Sequence, residues 1–184
     1  VVLQDGVSLK SSIDGQKNTG GIISVKGYND PAGTNPSSNS ELHLTAKTLG
    51  EFLKPTDTAK NASGQLVLDA NSTLKFTNDS SVDIAADETK ADGTAINVKA
   101  TAAPGSTDPA GSVIVKGAAT IDGKKITISK TMATGLDTKL NVTADELTLG
   151  SSSAHNTGAL GVASLTAKNL KFADKNTFVL ADNI

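Results

Sequence analysis

The sequence predicts an all-β chain stacked as a parallel β-solenoid of about seven coils of roughly 23 residues. Apolar and polar residues alternate along nearly its whole length, the period-2 signature of half-buried strands. A motif of apolar, any, apolar, any, then Ala or Gly can be placed seven times. Its copies are Ile23/Val25/Gly27, Leu42/Leu44/Ala46, Leu66/Leu68/Ala70, Ile96/Val98/Ala100, Val113/Val115/Gly117, Leu140/Val142/Ala144 and Ala163/Leu165/Ala167. The small third residues lie 19, 24, 30, 17, 27 and 23 positions apart, and repeats of about 20–50 residues belong to solenoids and arrays.

Strand patterning begins at Val7-Ser8-Leu9 and Gly21 to Val25, with an Asp14-Gly15 turn between them. Residues 28–40 carry Pro, Gly, Asn and Ser and read as a loop. Glu41 to Leu49 reads as strand, bend, strand, and Gly50 to Leu53 has room for one helical turn before Pro55. After a polar loop over 55–63, Gly64 to Phe76 repeats strand–bend–strand and Val82-Asp83-Ile84 adds a strand. The chain's end echoes this: eight residues separate Leu74 from Val82, and eight separate Leu170 from Phe178. Residues 101–112 form the clearest loop. Val113 to Ser129 is either a hairpin about Asp122-Gly123 or two consecutive solenoid strands. Leu140 to Leu149 is strand–bend–strand again, and 150–158 is the last polar loop.

A single coil leaves an apolar face half exposed and its strand edges unpaired. Stacking coils about 4.8 Å apart pairs those edges and closes a core. The third motif position would then be an inward corner too crowded for a large side chain. The residue before it should point outward: Lys26, Thr45, Asp69, Lys99, Lys116, Thr143 and Thr166. Thr143 above Thr166 makes a favourable ladder pair and Asp69 beside Lys99 an attractive one, whereas Lys99 beside Lys116 is like-charged. The alternative architecture is an antiparallel β-sandwich, whose strands alternate at similar spacing. Sandwiches usually bury aromatic residues, and aromatics are only 3% of this chain.

Composition narrows the chemistry. The net charge of -2 points to no polyanion partner, so no nucleic acid is expected. All 17 basic residues are lysine, which removes bidentate arginine recognition. Cysteine is absent, and with it thiol catalysis, thiolate metal sites and disulfides. No apolar run reaches the roughly 20 residues of a membrane-spanning helix, so direct membrane insertion of this segment is not expected. Residues 1–184 are read as one solenoid segment of a longer exported protein, because the chain opens at Val1-Val2 without Met or a signal peptide.

No catalytic residue, metal site or cofactor is assigned. His43, between Leu42 and Leu44, should point outward from a strand; His155 sits in the last loop beside Ser151 to Ser153 without a nucleophile-elbow pattern. Glycosidases need two carboxylates at a fixed separation, and the Asp-Gly pairs here are turn chemistry first. Asp83, Asp87 and Glu88 cluster near a strand end as a solvated rim, and calcium-binding repeats and loops are missing. Binding residues are unknown. The four polar loops are the candidate contact surfaces, and those following Gly27 and Ala100 should leave the same corner.

The recurrent strand–bend–strand coils, the Lys/Thr/Asn/Asp decoration and the missing cysteines resemble the passenger domains of bacterial autotransporter adhesins and haemagglutinin-type secreted adhesins. The resemblance covers about residues 20–182 and is architectural. It implies a right-handed parallel β-helix at the extracellular face of the bacterial cell, exported to the outer membrane. It also implies a non-enzymatic adhesive or structural role, with a host-surface protein or glycan, or like copies of the chain, as partner. The lysine-only usage would also suit a lattice-forming surface-layer protein or a flagellin outer domain. A polysaccharide-cleaving β-helix is the remaining reading, weakened by the lack of arginine and tryptophan.

Overall fold

In the computed structural model, residues 22–28, 32–33, 37–53, 65–77, 81–86, 95–100, 111–129, 139–150, 157–159, 161–173 and 177–179 are described. Their elements run β1 (Ile22–Val25), β2 (Ser40–Leu44), α1 (Ala46–Leu53), β3 (Gln65–Leu68), β4 (Ser72–Phe76), β5 (Ser81–Ala86) and β6 (Ala95–Ala100). Then come β7 (Gly111–Val115), β8 (Ala119–Ile128), β9 (Leu140–Leu149), β10 (Thr157–Ala159), β11 (Ser164–Phe172) and β12 (Thr177–Val179). The architecture is all-β apart from one short helix. Among the described residues most pairings are parallel: β1–β3, β3–β7, β2–β4, β4–β8, β5–β8, β8–β9, β9–β11 and β10–β12. Among the described strands only β6 pairs antiparallel, with β5 on one side and β7 on the other. An antiparallel sandwich contains no such parallel ladders, which need long crossovers between neighbouring strands.

The strands stack in three ladders. The first is β1–β3–β7, aligning Val25 with Leu68 and Leu68 with Val115. In the second, β2, β4 and the first halves of β8, β9 and β11 align Leu42, Leu74, Ile121, Val142 and Leu165. The third holds β5 and the second halves of β8, β9 and β11. Leu42, Leu74, Ile121, Val142, Leu68 and Val115 are buried. Their inward rows form one core.

Strand–bend–strand is visible in β8 and β9. Each alternates buried and less buried residues up to Gly123 or Ala144 and then places two polar residues in succession, Lys124-Lys125 or Asp145-Glu146. Alternation then resumes with the apolar side again inward. The doubled polar step turns the strand through a corner while keeping one face on the core. The hairpin reading of Val113 to Ser129 is therefore replaced: β8 runs straight through Asp122-Gly123.

The seven motif copies do not form a single column. Copies at Val25, Leu68 and Val115 share one column and those at Val142 and Leu165 another, but Leu42/Leu44, expected between the first two, lie on Leu74/Phe76. The copy Ile96/Val98/Ala100 is in antiparallel β6 and stacks on no coil. Along the second ladder, successive inward partners are 32, 47, 21 and 23 residues apart. The spacing is near 23 only in the C-terminal half. The longer spans carry α1, β5 and β6.

The second departure is at α1: alternation predicts strand to Leu49, but Ala46 to Leu49 are already helical, and the helical turn expected over Gly50 to Leu53 is the second half of this helix. Thr45 caps it: its hydroxyl accepts the Thr48 N–H at 3.1 Å, satisfying one of the first-turn donors. From there the apolar spacing changes from two to three and four, and Ala46, Leu49, Phe52 and Leu53 are buried. Thr45 is consequently buried rather than outward.

The crowded corner holds in the first ladder. Gly27 donates its N–H to Ala70 O at 2.9 Å, and a side chain on Gly27 would collide with the Asn71 and Ser38 carbonyls. Asn71 next to it takes a left-handed φ of 54°, which Asn tolerates better than most residues.

Candidate contact surface

Side chains on the outer face of the ladders are set by register. One row runs Glu41, Thr73, Thr120, Asn141, Ser164, in which Thr73 is buried; the next runs His43, Lys75, Asp122, Thr143, Thr166. Thr143 does align with Thr166. Ser164 donates its hydroxyl to Asn141 Oδ1 at 2.7 Å, and Asn39 donates to the Thr73 hydroxyl at 2.9 Å. These bonds fix hydroxyls and amides in rows one coil apart. Such a surface offers donors and acceptors at a regular repeat.

Charges on this face pair between coils. Lys75 lies 3.2 Å from Asp122, Lys168 lies 2.8 Å from Asp145, and Lys171 lies 3.0 Å from Glu146. Lys26 meets Asp69 at 3.7 Å, so Asp69 faces Lys26 and not Lys99. Lys99 aligns with Asp83 on β5 instead. These pairs are exposed or half-buried, so each adds little stability; their effect is to cancel lysine charge along the ladders. The hydrogen bond from Lys171 holds the Glu146 carboxyl below its ordinary range, with Lys171 charge adding to it.

His43 faces outward as its alternation predicts, between buried Leu42 and Leu44. Its Nε2 sits 2.6 Å from Glu41 Oε2, and that hydrogen bond lowers the Glu41 pKa. No serine is bonded to it in any described contact. His155, Asp87 and Glu88 lie outside the described residues. No group of three or more His, Asp or Glu placed to hold a metal ion occurs among the described residues. No helix among them is long and apolar enough to cross a membrane.

Of the polar loops, 55–63 lies outside the described residues, and the others are described only in part. In the first of these, Tyr28 and Ser38 bridge each other and Tyr28 is half exposed. The expected shared corner is not formed: Gly27 lies against Ala70, whereas Ala100 pairs with Val82 in the antiparallel strand. Alternation gives no sign of the exposed apolar pair on β11. Leu170 is 52% and Phe172 60% exposed, although their partners Leu147 and Leu149 are buried. Comparison with protein-family models, with curated proteins and with solved structures found no match to this chain.

Proposed function

We propose that the chain is a non-enzymatic segment of a bacterial cell-surface protein. It is a right-handed β-solenoid that displays one outer face and its loops for host-surface binding or self-association. The observation that carries this is the five-strand ladder β2–β4–β8–β9–β11, whose inward column is apolar and whose outward rows are Thr, Ser, Asn and paired Lys/Asp. A scaffold repeated along one axis presents the same groups many times. Right-handedness follows from the strong preference of parallel crossovers for that hand. The unequal coils replace the even seven-coil stack: long ones carry α1, β5 and β6, and short ones follow.

The mechanism is display. Without arginine or tryptophan anchors, single contacts are weak, and useful binding comes from many copies held together. The test is to coat beads with the chain at low and high density and measure retention on host-cell layers and immobilised glycans. Retention that rises steeply with density is expected. Turnover of acidic or neutral polysaccharide, lost on Asp122→Asn or Lys75→Ala, would overturn the reading in favour of an enzyme.

A further inference from the structure

We propose that Asp122-Gly123 is a modification site gated by the fold. The stacked ladder blocks conversion of Asp122 to isoaspartate, unfolding permits it, and the product cannot be restacked. The reaction consumes nothing but water, and it is independent of what the outer face binds.

An Asp-Gly pair offers little hindrance to this isomerisation, because glycine places no Cβ beside the attacking nitrogen. The Gly123 amide nitrogen attacks Asp122 Cγ, one carboxyl oxygen leaves as water, and a five-membered succinimide closes. Water then opens the ring at either carbonyl. Opening at the main-chain carbonyl of Asp122 leaves the chain running through Cβ and Cγ. The product has unchanged mass and one more atom in its backbone. The sequence carries four Asp-Gly pairs, of which those at Asp5, Asp14 and Asp92 lie outside the described residues.

The structure holds the two reacting groups of the fourth pair apart. Both residues lie inside β8 and are paired in register, Asp122 with Lys75 and Thr143, Gly123 with Ala144. Ala119 donates its N–H to Lys139 O at 2.6 Å, on the β9 side. Backbone groups alternate sides along a strand, and the alternation of β8 is unbroken from Ala119 to Gly123. Ile121 and Gly123 therefore also face β9, whereas Thr120 and Asp122 face β4. The attacking nitrogen is turned toward β9, and the carboxyl is held the other way, with Asp122 Oδ2 3.2 Å from Lys75 Nζ on β4. Bringing the nitrogen onto Cγ requires a rotation out of the extended backbone, which breaks the ladder at this point.

The product is excluded for a second reason. Past Gly123, β8 pairs Lys125 to Ile128 with both β9 and β5. An extra backbone atom after Asp122 shifts these residues against partners whose register the first half of β8 has already set. Ile126 and Ile128, both buried, then lose their inward places. The fault falls on a strand that pairs with β4, β5 and β9.

Space does not demand the glycine. A Cβ on Gly123 would meet Ile126 Cγ1 at 3.4 Å and Phe76 Cβ at 3.5 Å, and the β9 partner is Ala144. Gly123→Ala therefore keeps the fold while hindering ring closure, which makes it the control.

The test is to incubate the chain folded in buffer and unfolded in urea at neutral pH. Isoaspartate at position 122 is followed by fragmentation mass spectrometry of the tryptic peptide 117–124. It should form at least about tenfold more slowly in the folded chain, the factor that about 1.4 kcal/mol of opening free energy supplies. After the urea is removed, isoaspartate at 122 should be confined to the fraction that fails to refold. Gly123→Ala should refold in higher yield after the same incubation. Equal rates in the folded and unfolded chain overturn the gate. Isoaspartate at 122 in the refolded fraction, in the same proportion as in the whole, overturns the block on restacking.

Discussion

Gly117 packs on Ala70 so closely that a Cβ on Gly117 would lie 2.5 Å from the Ala70 nitrogen and 2.8 Å from its Cα. The corner after β7 rests directly on the corner after β3, backbone on backbone. Gly117→Ala should cost about 1–3 kcal/mol, the range for forcing extra volume into packed structure. Gly123 lies in a roomier place, where an added Cβ would meet Ile126 Cγ1 at 3.4 Å, and Gly123→Ala should cost less than about 1.5 kcal/mol. Urea unfolding midpoints of the two variants test the difference; equal losses would show that the corner is not the tight point.

The ladder register makes a second prediction. His43 and Lys75 are direct partners in adjacent coils and both lie on the outer face. Cysteines at these two positions should form a disulfide, whereas cysteines at Leu44 and Leu68 should not, because Leu44 aligns with Phe76. Mass spectrometry of the oxidised variants reads the outcome, and crosslinking of the second pair alone would refute this register.

Removing the helix cap is a third test. Thr45→Ala leaves the Thr48 N–H without its side-chain acceptor and should destabilise the fold by about 0.5–2 kcal/mol. Thr45→Ser, which keeps the hydroxyl, should recover most of the loss. If serine is as damaging as alanine, the methyl group and not the cap is what Thr45 contributes.

A fourth prediction concerns acid. The Lys171 hydrogen bond depresses the Glu146 pKa in the folded chain. A depressed carboxyl stabilises above its ordinary value of 4.5, and that contribution disappears as pH falls through the lower folded value. Lys171→Ala should raise the Glu146 pKa, which side-chain NMR titration measures directly. An unchanged midpoint would mean that the exposed pair is too dynamic to hold.

The inward rows were legible in the sequence because period-2 alternation is a local property: Leu42, Leu66, Leu68, Val113, Val115 and Val142 are all buried where alternation puts them. Which row stacks on which was not. The motif around Leu42 recurs at Leu66/Leu68/Ala70, whereas Leu74/Phe76 lacks the small third residue, and only pairing between residues distant in sequence selects Leu74. The first half of the helix was missed because Leu42-x-Leu44-x-Ala46 continues an even alternation into residues whose burial follows a helical face, whereas the turn over Gly50 to Leu53 was legible before Pro55. Ile96/Val98/Ala100 carries the motif without its stacking, since alternation is the same in either strand direction. For the outer surface, the sequence identified His43 as outward but could not show that Asp69 would meet Lys26.

Strand β6 is hydrogen-bonded to β5 along one edge and to β7 along the other, and this joins the third ladder to the first. Where the strands stack in parallel, each pairs with the strands next to it in its ladder, so such a stack can peel open one turn at a time from a frayed end. At β6 the peeling meets a clasp: freeing that turn means breaking two ladders that run in opposite senses to all the rest. Unravelling started at either end should therefore halt at this level, and limited proteolysis should leave a resistant fragment containing β5, β6 and β7.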